Sequence, residues 1–436
     1  MSIGDKRVSD LLVNGFVVVV LLLSTGALLP LLVQGGSSGV VGSPPPDDVV
    51  TEIVWLAIYG VALVLVATRA PQCLRLAVNN KILLLLVGVA AVSVVWSDSP
   101  GATVRNSVAL AAITMFGIYL AGRYTVYELL RLLAWALGIA ALLSIVFAVA
   151  LPSYGITFDV RGNAWQGVFV QKNILGRVMA LSALVFLLLA LSGRRYRWLP
   201  WAGFGISVAL LFLSGSLAPA ACLVTLVAIL PFYAALRSNY NIVILACIFG
   251  IAVAGAVSAL ILRSSSSLVG MLGRDMTLTG RTEVWDAVLE MIWQRPLLGY
   301  GYGGFWLGWE GGSAQVWLQS GIMAGHAHNG LLNLWLDLGL LGVSVFLLGL
   351  LLAFRRAVGW ARSTSTADGL WPLAFLTFLL LYNLIETALL SHTDVFWILY
   401  VAAVASTSPG DVRVRVPYSP SARTGALEKA RVTYDV

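Results

Sequence analysis

Residues 326–356 read HAHNGLLNLWLDLGLLGVSVFLLGLLLAFRR: a polar His-Ala-His-Asn, then a nearly unbroken apolar run centred near residue 342, then two arginines. About 20 residues of helix cross a hydrocarbon core about 30 Å thick, and no water is present there to satisfy backbone groups. A run of this length therefore reads as a membrane-spanning helix and not as a barrel strand. Two of the chain's three histidines stand at its mouth, and a titratable imidazole pair beside an amide at a membrane surface marks a place for chemistry.

Outward from this run the same pattern recurs. The 436 residues are 59% hydrophobic and 11% charged, with a mean hydropathy of +0.90, too few charges to cover a soluble globule of this size. Twelve apolar runs are centred near residues 22, 59, 89, 112, 140, 183, 206, 227, 251, 342, 379 and 401. The expected fold is an all-α polytopic membrane protein of about 12 transmembrane helices over residues 1–408, with a polar, basic cytoplasmic tail over 409–436. Lys6 and Arg7 precede a first run without a small-residue cleavage site, so that run is expected to stay as an anchor.

Lys and Arg set the orientation. With both termini cytoplasmic, the inner segments carry 19 of the 27 basic and 7 of the 20 acidic residues, a net charge of +12 against −5 outside. The overall +7 is thus a topology signal and not a nucleic-acid footprint. Cys73, Cys222 and Cys247 are odd in number and lie in or beside apolar runs, so they suggest packing and not a disulfide framework or metal cluster.

Two outer loops carry the candidate chemistry: residues 152–173 and the long stretch 263–330. Within the latter, Trp285, Leu289, Ile292 and Trp293 recur at helical spacing, predicting an amphipathic helix over 281–294 with Gly280 as N-cap and Pro296 as terminator. Arg281 falls at that helix start, where unpaired N–H groups already favour a phosphate. Arg161, Lys172 and Arg281 lie outside, against the charge bias, in Gly- and Asn-rich contexts that a simple headgroup anchor does not need. Glu310, Asp159 and Asp275 are the rival carboxylates, and no Asp-x-Asp pair suited to a metal occurs in these loops. Asn329 is either a sugar or His328 contact or a helix cap, His392 beside Asp394 could join the site, and Trp306, Trp309, Trp317, Tyr300, Tyr302 and Phe305 suit the membrane interface or a sugar face. Gly299-Tyr-Gly301-Tyr-Gly303-Gly304 follows no strand and reads as a turn, not a nucleotide loop.

Taken together, Gln171-Lys172-Asn173-Ile-Leu-Gly176-Arg177, Leu278-Thr-Gly-Arg281-Thr-Glu-Val-Trp285, Arg295-Pro-Leu-Leu-Gly-Tyr-Gly301 and His326-Ala-His-Asn-Gly-Leu-Leu resemble the O-antigen ligase and polymerase superfamily, most closely its exopolysaccharide polymerase branch. The resemblance implies a GT-C-like bundle in the bacterial inner membrane, with a periplasmic active site and no metal or other cofactor. Its substrate would be an undecaprenyl-diphosphate-linked oligosaccharide, and its partners membrane lipids with chain-length regulator and export proteins. It implies His328, immediately before Asn329, as general base on an acceptor hydroxyl, with Arg281 and Arg161 holding the departing diphosphate. Lys172, Asn173, Arg177, His326, Asn329, Arg274 and Arg295 are the further substrate-binding candidates. Polymerisation with inversion is the expected reaction. Ligation of a finished glycan to lipid A core or protein is the first alternative, and transport of the lipid-linked sugar without covalent chemistry is the second.

Overall fold

The computed structural model describes residues 3–29, 49–159, 162–193, 198–237 and 281–408. Among them lie helices α1 (Ile3–Ser24), α2 (Val49–Ala67), α3 (Ala70–Asn79), α4 (Lys81–Val92), α5 (Pro100–Arg123), α6 (Val126–Ala150), α7 (Lys172–Leu191), α8 (Trp198–Leu213), α9 (Leu217–Ala235), α10 (Arg281–Gln294), α11 (Gly311–Ser320), α12 (Gly330–Ser363), α13 (Trp371–Asn383) and α14 (Val395–Ser406). Every expected span falls on one of these helices except that near residue 251, which lies outside the described residues, as do Cys247 and the 409–436 tail.

Seven described helices are long and apolar enough to cross a membrane, or eight if α3 with residues 81–95, bent by 90°, is one broken span. The expected spans near 206, 379 and 401 are helices of 16, 13 and 12 residues. At about 1.5 Å per residue these are only about 18–24 Å long, short of a full crossing. The protein is a multi-pass helical membrane protein; of its short helices, α13 and α14 pack inside the bundle, every residue of α14 being buried, while α8 buries only Ser207, Leu210 and Leu211.

Local chemistry explains where the helices begin. Thr125 and Glu128 form a reciprocal capping box at the start of α6. Pro100 and Pro372 occupy first-turn positions of α5 and α13, where a missing N–H costs nothing. Asp394 caps α14 by accepting from the Phe396 N–H at 3.0 Å. Residues 152–173 are more structured than a plain loop: a helical turn leads into an antiparallel hairpin of β1 (Ile156–Asp159) and β2 (Gly162–Trp165), with Ile156 opposite Trp165.

Polar links mark the two ends of the bundle. At one end Arg237 donates to the Ser365 and Thr366 carbonyls, Asp368 accepts from Ser192, and Arg356 donates to Asn80. At the other end Arg177 pairs with Asp394, Ser216 donates to Asn173, and residues 281–329 form a cap with a small core of its own, including Val288, Ile292, Phe305 and Val316.

That cap is locked onto a break in α12. Gly339 has φ +65, which interrupts the helix, and the chain from Arg295 to Gly301 fills the gap. The Leu340 and Leu341 N–H groups donate to the Pro296 and Leu297 carbonyls at 2.8 and 3.2 Å, and the Tyr300 N–H donates to the Leu336 carbonyl at 2.8 Å. Backbone groups freed by a buried helix break need such partners, since each left unsatisfied away from water costs several kcal/mol. Gly299, Gly301 and Gly303 all have positive φ, and a β-carbon at any of them would overlap Leu336, Ser97 or Asn106. The Gly-Tyr-Gly-Tyr-Gly-Gly stretch is therefore a close-packed turn.

Candidate functional site

The His-Ala-His-Asn loop is fixed from several sides. Trp285 on α10 donates to the Ala327 carbonyl at 2.9 Å, and the Ala327 N–H donates to Asn333 at 3.2 Å. The Ala327 side chain is buried in the cap core, which leaves the two imidazoles beside one another with ring centroids 4.2 Å apart. His328 has a left-handed backbone, φ +46, unusual for a side chain of its size. Asn329 takes the cap role: its side-chain oxygen accepts from the Leu331 and Leu332 N–H groups, while its amide donates to the Leu384 carbonyl at 3.2 Å.

That last bond brings in a segment none of the motifs contains. Residues 384–394 join α13 to α14 and carry Glu386, whose side chain is 10% exposed. One carboxylate oxygen accepts from Arg281 Nη2, and the other lies 3.2 Å from His328 Nδ1. Burial alone would push this carboxyl up, but the His328 hydrogen bond and the Arg281 charge outweigh it and hold Glu386 down at about 2. An ionised carboxylate only accepts, so the contact requires an N–H at His328 Nδ1, and in the neutral imidazole of that tautomer Nε2 is the acceptor. The His328 backbone N–H donates to His326 Nδ1 at 3.2 Å, which places the proton of the neutral His326 ring on Nε2. Burial, with His328 alongside, lowers His326 to about 3, so it is neutral at ordinary pH.

The loop holding Glu386 is braced along its length. Asn383 accepts from the Ala388 N–H at 2.8 Å, Tyr302 donates to the Leu390 carbonyl, Tyr59 donates to the His392 carbonyl at 3.3 Å, and Arg177 pairs with Asp394 at 2.9 Å. Gly330 sits so close to Asn383 that a β-carbon would overlap its side chain. Pre-organisation of this kind keeps a carboxylate and an imidazole in register.

The structure thus brings together His326, His328, Asn329 and Arg281, with Arg177 near enough to act electrostatically on His326. It does not bring in His392, whose imidazole is lowered to about 4 by burial and by Arg105. Asn173 accepts from Ser216 at 3.0 Å, and Lys172 opens α7 beside it. Arg295 is paired with Asp98 at 2.6 Å and lies over the Tyr300 ring, 4.7 Å from its centroid. Arg161 and Arg274 lie outside the described residues, as do Asp275 and Gly280. Of the rival carboxylates, Glu310 is exposed at the start of α11 and the side chain of Asp159 is not described; among the described residues the acid beside the imidazoles is Glu386.

Two sequence readings need correction. Helix α10 has the expected bounds, but its buried stripe is Val284, Ala287, Val288, Met291 and Ile292, because it packs against α11 and α12; Trp293 is 68% exposed. Tyr300, Tyr302, Phe305 and Trp317 are neither interfacial anchors nor sugar platforms but buried packing residues, at 2–4% exposure. Trp309 alone of that group is exposed, at 61%.

The ligand atoms of His326, His328 and Glu386 lie within 4.8 Å of one another, a separation that could hold a metal ion. Arg281 already supplies a positive charge to Glu386, and a second cation there would meet repulsion of about 4 kcal/mol for charges about 4 Å apart at an effective dielectric near 20.

Residues 202–347, which include Arg281, Arg295, His326 and His328, match the family described as O-Antigen ligase. The likeness is to O-antigen ligases and polymerases, on their exopolysaccharide branch. The exopolysaccharide production protein ExoQ of Rhizobium meliloti (strain 1021) is 26% identical over 282 residues, 61% of this chain and 62% of that protein. The chain thus aligns with less than two thirds of that relative. Glu386 lies beyond the matched family segment.

Proposed function

We propose that this chain is a polysaccharide polymerase of the bacterial inner membrane, joining undecaprenyl-diphosphate-linked oligosaccharide repeats at the periplasmic face by metal-independent, inverting transfer. The observation that carries this reading is the convergence of His328, held at Nδ1 by Glu386, and Arg281 at one end of a helical bundle, both within the stretch similar to O-antigen ligases. Lysine and arginine placement supports cytoplasmic termini and a periplasmic site.

In this reading the acceptor hydroxyl gives its proton to His328 Nε2 as its oxygen bonds to the donor's anomeric carbon. The bond from that carbon to the diphosphate oxygen breaks, and its electron pair leaves with the undecaprenyl diphosphate. The anionic charge growing there is met by Arg281 and Arg161, since a guanidinium offers paired N–H donors to phosphate. Lys172, Asn173, Arg177, Arg274, His326 and Asn329 complete the proposed substrate contacts, whereas Arg295, taken by Asp98, is left to the fold. Membrane lipids, a chain-length regulator and export proteins are the proposed partners.

Ligation to a separate acceptor is the second reading, favoured by the description of the matched family. Purified protein supplied with carrier-linked repeats distinguishes them. Lengthened carrier-linked product means polymerisation, product only on an added lipid or protein acceptor means ligation, and no transfer by folded protein overturns both. Transfer is expected to survive a strong chelator. Loss restored by one added divalent cation would overturn the metal-independent step.

A further inference from the structure

Glu386 divides its charge between two groups the transfer reading uses separately. One oxygen holds Arg281 and the other holds His328 Nδ1. A guanidinium engaged by a carboxylate is not fully available to a phosphate, and a carboxylate neutralised by a guanidinium stabilises an imidazolium less than a free one does. Arrival of a diphosphate beside Arg281 must therefore change what His328 experiences.

We propose that Glu386 is a positioning residue that couples the two halves of the reaction: it holds His328 with Nε2 free, and it yields Arg281 to the donor's phosphates, so that donor binding strengthens the carboxylate's hold on the base. The proposal rests on the transfer reading above. The base is weaker before the donor arrives and stronger afterwards, which favours proton abstraction only when a leaving group is in place. The charged and titratable groups facing this pair are Arg177 from α7, Arg281 from α10, His326 from the loop before α12, Tyr382 from α13 and Asp394 at the start of α14. Among these, Arg281 is the cation bonded directly to Glu386, and Arg177 is held by Asp394.

The test is steady-state transfer by purified Glu386→Gln, with a synthetic undecaprenyl-diphosphate-linked repeat as donor and His328→Ala alongside. The amide keeps the size and a hydrogen-bonding oxygen but removes the charge. The expected result is a fall in kcat of about 100-fold or more, set against the loss of about 10⁴-fold when a catalytic histidine loses its carboxylate partner in a serine protease. The donor KM should stay level or fall, because Arg281 is no longer shared. The acid limb of kcat/KM should move to lower pH, since loss of a neighbouring negative charge makes an imidazole easier to deprotonate. A purely structural Glu386 would instead lower the yield of folded protein or raise KM, with the acid limb unmoved. If Glu386→Gln does not accumulate, Glu386→Asp decides, since it keeps the charge but withdraws it by one methylene: a tenfold or greater fall in kcat without a rise in KM is expected. A kcat within about threefold of wild type, with His328→Ala inactive, overturns this proposal and leaves the transfer reading standing. An active His328→Ala overturns the transfer reading itself.

Discussion

Two stretches of the cap, 295–304 and 326–329, are equally rich in motif residues, yet they spend their polar groups differently. In the first, backbone carbonyls and N–H groups close the break in α12, positive-φ glycines fill tight contacts, and Arg295 is taken by Asp98. In the second, the backbone is held by Trp285, Asn333 and the Asn329 cap, while the imidazoles and the Arg281 guanidinium meet a buried carboxylate. A motif whose polar groups are consumed by the fold is architecture. One whose side chains remain chemically competent is a candidate site.

The largest effect that would break this contrast is at His328. Replacement by Ala is expected to lower transfer at least about 10³-fold with folded yield unchanged, the scale of losing a positioned general base together with its charge partner. Next comes Arg281→Lys, which keeps the charge but loses the planar fork. A fall of about 10- to 100-fold is expected, read as kcat/KM for the donor.

Gly299→Ala belongs to the architectural region. It forces a left-handed conformation costing about 1–2 kcal/mol and drives a β-carbon onto the Leu336 carbonyl, so thermal stability should drop while transfer per folded molecule holds. Arg295→Ala should cost about 0.2–1 kcal/mol or less, because its partner is partly exposed and solvent screens the pair. A large loss of transfer there, with stability intact, would move Arg295 back among the substrate contacts.

The smallest effect concerns pH. His326 and His392 are held well below their unfolded value near 6.5, so the stability they contribute is present above that pH and is lost as pH falls toward about 3 and 4 respectively. Glu386, held down at about 2, contributes stability that is lost only below about 4.3. The melting temperature should therefore decline between about pH 6.5 and 4.5 because of the imidazoles. His326→Gln should flatten that decline, and an unaltered slope would contradict the burial argument.

Much of this was legible in the residues. Apolar run lengths placed the helices, the three- and four-residue spacing marked α10 as helical, and the polar string at 326–329 marked the candidate site. Which face of α10 is covered was not legible, because that depends on α11 and α12 arriving against it. The aromatics of 300–317 fitted the interface equally well until the cap was seen to have its own core. Glu386 stood on the outer side of the last span pair, but a lone acid between two apolar runs looks like any solvated loop residue. Only the bond from Asn329 to the Leu384 carbonyl and the bracing of residues 384–394 bring it under the imidazoles.

The contrast is tested most directly by measuring carrier-linked product formation per folded molecule for His328→Ala and Arg295→Ala in one assay. The structure predicts no detectable transfer by the first and near wild-type transfer by the second. Activity retained by His328→Ala, in protein that elutes and melts like wild type, would contradict the assignment of 326–329 as the reaction centre.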